Sequence, residues 1–123
     1  MNKLFESVRI GSINVKNRIA MAPMNDFHQF YDSEGILTQR CIDHFVERAK
    51  GEVGLIISMV FKTGEQVDKY RYQGQPIWNI LTAKSQERYA DLARFVHGYG
   101  AKIFFQLSAS PGRVAKGEVF FIN

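Results

Sequence analysis

Short apolar runs alternate along this chain with longer stretches in which apolar residues recur every three or four positions. Val8–Ile10 and Ile13–Val15 flank Gly11-Ser12, a pattern that predicts a small β-hairpin. Ile19-Ala20-Met21-Ala22 reads as a short strand, ended by Pro23, which lacks a backbone donor. A polar loop over residues 25–35 follows, and Thr38 suits the N-cap of a helix. Ile42, Phe45, Val46 and Ala49 then fall on one helical stripe, and Gly51 stands where a left-handed C-cap is expected.

The run from Val53 to Val60 is almost continuously apolar rather than alternating, as in a parallel strand buried on both faces. A long loop over residues 62–80 leads to a second helix, Thr82 to Gly98, with Tyr89, Leu92, Ala93 and Val96 on its buried stripe. Ala101 to Leu107 is the next buried strand. Strand, helix, strand, helix, strand is the order of parallel crossovers, so the class is α/β. A doubly wound nucleotide fold would place a glycine fingerprint after its first strand, and this chain has Ala22-Pro23-Met24-Asn25-Asp26 there. A barrel needs eight such units and about 250 residues. If this is barrel sequence, it is less than half of one, and its outer strands would leave Ile103, Phe104 and Phe105 short of cover.

Composition narrows the function only a little. The chain has 123 residues, 46% apolar and 23% charged, which suits one soluble globular domain. The net charge of +4 comes from scattered Lys and Arg, so no basic patch invites nucleic acid. No apolar run reaches the ~18 residues of a membrane span, and the N-terminus lacks the apolar core of a signal peptide. The expected address is the cytoplasm. A single cysteine, Cys41, excludes an internal disulfide and an iron–sulfur cluster held by several thiolates within the chain.

Three stretches could carry chemistry. Residues 17–25 hold Pro23, which stiffens a turn whose backbone groups could meet a flat heterocycle; a simple strand end explains them too. Ser58-Met59-Val60 leaves room beside a ligand, and core packing accounts for it equally. Gln106 ends a buried strand, where its amide must be satisfied. It could pair with the edge of a pyrimidine-like ring or cap a local backbone group. Cys41 lies beside a helical apolar stripe and reads as a packed thiol. His28, His44 and His97 show no metal spacing, Asp26 and Asp32 read as solvated loop acids, and Tyr70 and Tyr72 could touch a substrate or pack.

Longer motifs join these stretches. They are Leu4-Phe5-Glu6 with Ile10-Gly11-Ser12, then Lys16-Asn17-Arg18-Ile19-Ala20-Met21-Ala22-Pro23-Met24, then Phe45-Val46-Glu47-Arg48-Ala49-Lys50-Gly51 with Val53-Gly54-Leu55-Ile56-Ile57. His97-Gly98-Tyr99-Gly100-Ala101-Lys102 and Gln106-Leu107 with Gly112-Arg113 complete the series. In order and spacing it resembles the old yellow enzyme family of FMN-dependent NADH:flavin oxidoreductases. Among branches it is most similar to the long enoate-reductase and dienoyl-CoA-reductase group, with its bile-acid-modifying relatives.

The resemblance implies that residues 1–123 are the N-terminal portion, about three strands, of a TIM (β/α)8 barrel preceded by a hairpin, with the remainder of the barrel absent. It implies FMN at the barrel mouth and NADH or NADPH as reductant. Hydride would pass through FMN to the C=C bond of an α,β-unsaturated carbonyl compound. By position, the backbone at Ala22, Pro23 and Met24 would line the flavin, with Asn25 near its carbonyl edge. Val60 would approach the ring, Gln106 would bind the pyrimidine side, and Phe27 would border the substrate. No catalytic residue is assigned. Where relatives carry a histidine before Gly112-Arg113, this chain has Ser108-Ala109-Ser110-Pro111, and residues 118–123 match no family pattern. The alternative is a truncated, non-catalytic piece that associates with a second copy or with the barrel remainder.

Overall fold

The computed structural model describes residues 3–24, 30–62 and 82–108. Strands β1 (Val8–Ile10) and β2 (Ile13–Val15) pair antiparallel around Gly11-Ser12, with Ile10 opposite Ile13. Gly11 takes φ +59° with no neighbour crowding its Cβ direction, so this tight hairpin turn needs glycine for conformation alone. Strands β3 (Ala20–Met21), β4 (Leu55–Lys62) and β5 (Lys102–Ser108) form a second sheet in the order β3-β4-β5. Both of its pairings are parallel, as the unalternating apolar runs predict. Helix α1 (Gln39–Lys50) connects β3 to β4, and α2 (Ala83–Gly98) connects β4 to β5.

Both helices cover one face of that sheet. Cys41, Ile42, Phe45 and Ala49 of α1 and Leu92 and Val96 of α2 share one buried cluster with Ile56, Met59 and Ile103. Consecutive parallel strands with every helix on the same side is the progression of a barrel, whose interior is the opposite face. Ile103 is buried and Phe105 packs on the cluster, contrary to the expected lack of cover. Only Phe104, between them in the alternation, faces away from the helices, and it is half-buried.

The caps follow the sequence at the helix starts and depart from it at one end. Thr38 Oγ1 accepts the Cys41 N–H, and Thr82 Oγ1 accepts the Ser85 N–H. After α1 the left-handed residue is Glu52 (φ +68°), whereas Gly51 keeps φ −74°. The Glu52 and Val53 N–H groups return to Ala49 O and Arg48 O, the paired bonds of a Schellman end. Tertiary contacts select Glu52 for the reversal. Its carbonyl accepts Asn17 Nδ2–H at 2.7 Å, and its carboxylate meets Lys16 Nζ at 2.9 Å.

The strand bounds shift by a residue or two: β3 lies inside the expected Ile19–Ala22, while β4 runs on to Lys62, past the expected end at Val60. β3 stops at Met21, two residues before Pro23, and β4 starts at Leu55 rather than Val53. Gly54 precedes β4 because a side chain there would collide with Asn17 and come within 3.0 Å of Val15.

Candidate functional site

Parallel pairing places the C-terminal ends of β3, β4 and β5 along one edge of the sheet. Residues 22–24 leave β3 there and are exposed, Met24 to 62%. Val60 in β4 is the Cα partner of Gln106 in β5. The Gln106 side chain is exposed and Leu107 is 61% exposed. The structure therefore brings Ala22, Pro23, Met24, Val60 and Gln106 to one edge. Asn25 and Phe27 lie outside the described residues, as do His28, Tyr70, Tyr72 and Gly112-Arg113.

The first stretch singled out from the sequence divides between the two ends of the sheet. Asn17 and Arg18 precede β3 and stand at the opposite, N-terminal edge, away from residues 22–24. Asn17 is buried and wholly occupied with backbone: Nδ2 donates to Glu52 O, and Oδ1 accepts the Ile19 N–H at 3.1 Å.

The second stretch carries an irregularity. Ile57 pairs with Phe104 and Val60 with Gln106, so Ser58 and Met59 together oppose the single residue Phe105. This is a β-bulge. Met59 is fully buried in the helix-side cluster, so it packs rather than making room for a ligand. Ser58 Oγ accepts the Gln106 N–H at 3.1 Å and donates to Met59 O at 2.9 Å. Sequence reasoning missed this contact. A lone serine within an apolar strand was the available signal, because a buried hydroxyl must find partners.

Groups elsewhere resolve into structural roles. Cys41 is fully buried, and burial pushes its thiol up to about 12 although Arg88 pulls the other way. It is a packed thiol and no nucleophile. Burial likewise raises the phenols of Tyr31 and Tyr89 in the same helix layer. Asp32 is exposed but organises its loop: Oδ1 accepts the Glu34 and Ile36 N–H groups at 2.9 and 3.0 Å. Among the described residues no three His, Cys, Asp or Glu are placed to hold a metal ion. Among them, too, no helix is long and apolar enough to cross a membrane.

A profile of the NADH:flavin oxidoreductase / NADH oxidase family matches residues 3–119. The chain belongs to that family. Cinnamate reductase of Clostridium sporogenes is 36% identical over 112 residues, which are 91% of this chain and 17% of that protein. NADH oxidase of Thermoanaerobacter brockii is 39% identical over 117 residues, 93% of this chain and 17% of that protein. NADPH dehydrogenase of Bacillus subtilis is 37% identical over 123 residues, 96% of this chain and 34% of that protein. The chain thus spans between about a sixth and a third of the length of these relatives.

Solved structures agree. Old Yellow Enzyme from Pichia sp. AKU4542 superimposes with a TM-score of 0.72 at 28% identity, over 85% of this chain and 26% of that one. A 2-naphthoyl-CoA reductase in complex with 2-naphthoyl-CoA gives 0.71 at 28% identity, over 85% of this chain and 15% of that one. The fold is accordingly the first strands of an old yellow enzyme-like TIM barrel, and the family is one of FMN- and NAD(P)H-dependent oxidoreductases. The strand-end edge combines polar and stiff apolar groups. It offers one exposed amide at Gln106 and the exposed, proline-stiffened residues 22–24 on the far side of β4.

Proposed function

We propose that this chain forms the first three strands of the FMN-binding barrel of an ene-reductase. The overall reaction would reduce the C=C bond of an α,β-unsaturated carbonyl compound with hydride from NADH or NADPH. The observation that carries the reading is the strand-end edge, where Gln106 stands exposed beside Val60 and opposite residues 22–24. Bound FMN would supply the hydride chemistry, and the chain's task is to hold and orient it.

The residues divide that task by their chemistry. The Gln106 amide both donates and accepts, which matches the alternating carbonyl and N–H groups of a pyrimidine edge. Ala22, Pro23 and Met24 would line the flavin through backbone, with the Pro23 ring holding its φ and offering no donor to compete. On the family resemblance, Asn25 would serve the flavin's carbonyl edge, the β4 backbone at Val60 would approach the ring, and Phe27 would border the substrate. An unsaturated carbonyl substrate is supported by the likeness to cinnamate reductase and to a reductase crystallised with an aryl-CoA thioester.

Three strands of a barrel contact one side of such a ligand, and phosphate sites in these barrels follow strands seven and eight. The 123-residue chain alone is therefore expected neither to retain FMN nor to turn over. Joined to the later strands of the B. subtilis NADPH dehydrogenase, it is expected to do both. The test titrates each protein with FMN by fluorescence quenching, then follows NADH or NADPH oxidation with cinnamate or a cyclic enone. A soluble monomer of the short chain that binds FMN at micromolar affinity and turns over would overturn the need for further strands. A folded chimera that excludes FMN would overturn the flavin reading.

A further inference from the structure

We infer that Ser58 is a positioning residue for Gln106, its buried hydroxyl holding the bulge that aims the glutamine amide at the site edge. The inference rests on the flavin reading of Gln106 given above. Counting along the ladder shows what the bulge does. Ile57 pairs with Phe104, so an unbroken register would pair Met59 with Gln106. The extra residue in β4 moves that pairing to Val60. Met59 turns instead into the helix-side core, where it is fully buried, and the backbone at Val60 comes beside Gln106. One inserted residue thus decides which neighbour the glutamine has.

A bulge breaks the regular ladder, and something must hold the strands together across it. Ser58 is fully buried and uses both capacities of its hydroxyl there. It accepts from the Gln106 N–H on one strand and donates to Met59 O on the other. Alanine removes both bonds at once. The Gln106 backbone would then be tied to β4 at the bulge by one contact fewer, and its side chain would leave the sheet from a looser origin. A larger apolar residue would not restore the link, because the donor it must satisfy belongs to the backbone.

The test uses the FMN-loaded chimera with the later B. subtilis strands, carrying Ser58→Ala, Gln106→Leu or both, and measures FMN dissociation constants, the flavin absorption bands and amide hydrogen exchange at Gln106. Ser58→Ala is expected to speed Gln106 amide exchange and weaken FMN, each by about tenfold, the effect of one buried hydrogen bond. It is also expected to shift the flavin bands. In the Gln106→Leu background, Ser58→Ala is expected to add little to the loss of FMN, because the group it positions is gone. A purely structural serine would weaken FMN equally in both backgrounds, and that additive result would overturn the inference. Unchanged Gln106 exchange in Ser58→Ala would overturn it as well. If Gln106→Leu itself leaves FMN affinity intact, the flavin reading falls, while the exchange measurement still decides whether Ser58 tethers Gln106. Ser58→Cys, which keeps a γ atom but donates and accepts only weakly, provides the same comparison should the alanine variant fail to fold.

Discussion

The two edges of the three-stranded sheet are built to opposite ends. At the N-terminal edge, side chains are tied to backbone and to one another. Asn17 bonds Glu52 O and Ile19 N–H, while Lys16 Nζ reaches both the Glu52 carboxylate and Tyr99 O at the end of α2. This knot joins the hairpin, the end of α1 and the end of α2. At the C-terminal edge, Met24, Gln106 and Leu107 are exposed. The interstrand link there from Ser58 leaves the Gln106 side chain outward. In barrels the first edge serves stability and the second carries ligands. The contrast shows that one sequence motif can serve both edges, with Asn17 at the first and Ala22, Pro23 and Met24 at the second.

Separate perturbations at the two edges should separate stability from flavin binding. Asn17→Ala removes the side-chain partner of the part-buried Glu52 carbonyl and Ile19 N–H, and is expected to cost about 1–3 kcal/mol in urea unfolding. FMN affinity of the folded chimera with the later B. subtilis strands should stay unchanged, so a loss of affinity at full folding would break the distinction. Gln106→Leu is the mirror image. It is expected to weaken FMN by about 1–3 kcal/mol while leaving the unfolding midpoint in place, as read by flavin fluorescence and urea titration on one preparation.

Alkaline pH probes the helix layer that both edges share. The Cys41 thiol is raised from 9.0 to about 12 by burial, so folding favours its neutral form. Its contribution is complete below pH 9 and drains away as pH rises toward 12, with the raised Tyr31 and Tyr89 phenols acting in the same direction. Unfolding curves from pH 8 to 11 should show falling stability, less steep in Cys41→Ala, and a flat profile would refute it. The smallest effect belongs to Glu52→Gly. Glycine relieves the left-handed backbone but loses an exposed ion pair with Lys16, where Glu52 is 73% exposed, so the net gain should be about 0.5 kcal/mol or less. A marked loss would show that the Lys16 ion pair outweighs the relief of the left-handed backbone.

Much of the framework is legible in local patterns because the forces behind it are local. Thr38 and Thr82 cap helices through bonds to residues three positions on, and the stripes at Ile42, Phe45 and Ala49 or at Leu92 and Val96 need only helical periodicity. Parallel pairing follows from strands apolar on both faces. Gln106 stood out as a polar group on a strand read as buried, whereas the structure leaves its side chain exposed, where water satisfies the amide.

What the sequence by itself determined, then, is the set of elements, their order and the class of fold, since periodicity, capping and turn chemistry act over a few residues. The family resemblance adds an expectation, that Ala22, Pro23, Met24, Asn25, Val60 and Gln106 would serve a flavin. Only the tertiary structure decided which end of the sheet each polar residue occupies, because Asn17 and Pro23 are six positions apart yet stand at opposite edges. It alone decided that Glu52 rather than Gly51 reverses the chain, a choice made by contacts from Asn17 and Lys16, 35 and 36 residues away. And it alone placed the bulge at Ser58 and Met59, since a ladder's register depends on two strands separated by a helix. No pattern within either strand encodes it.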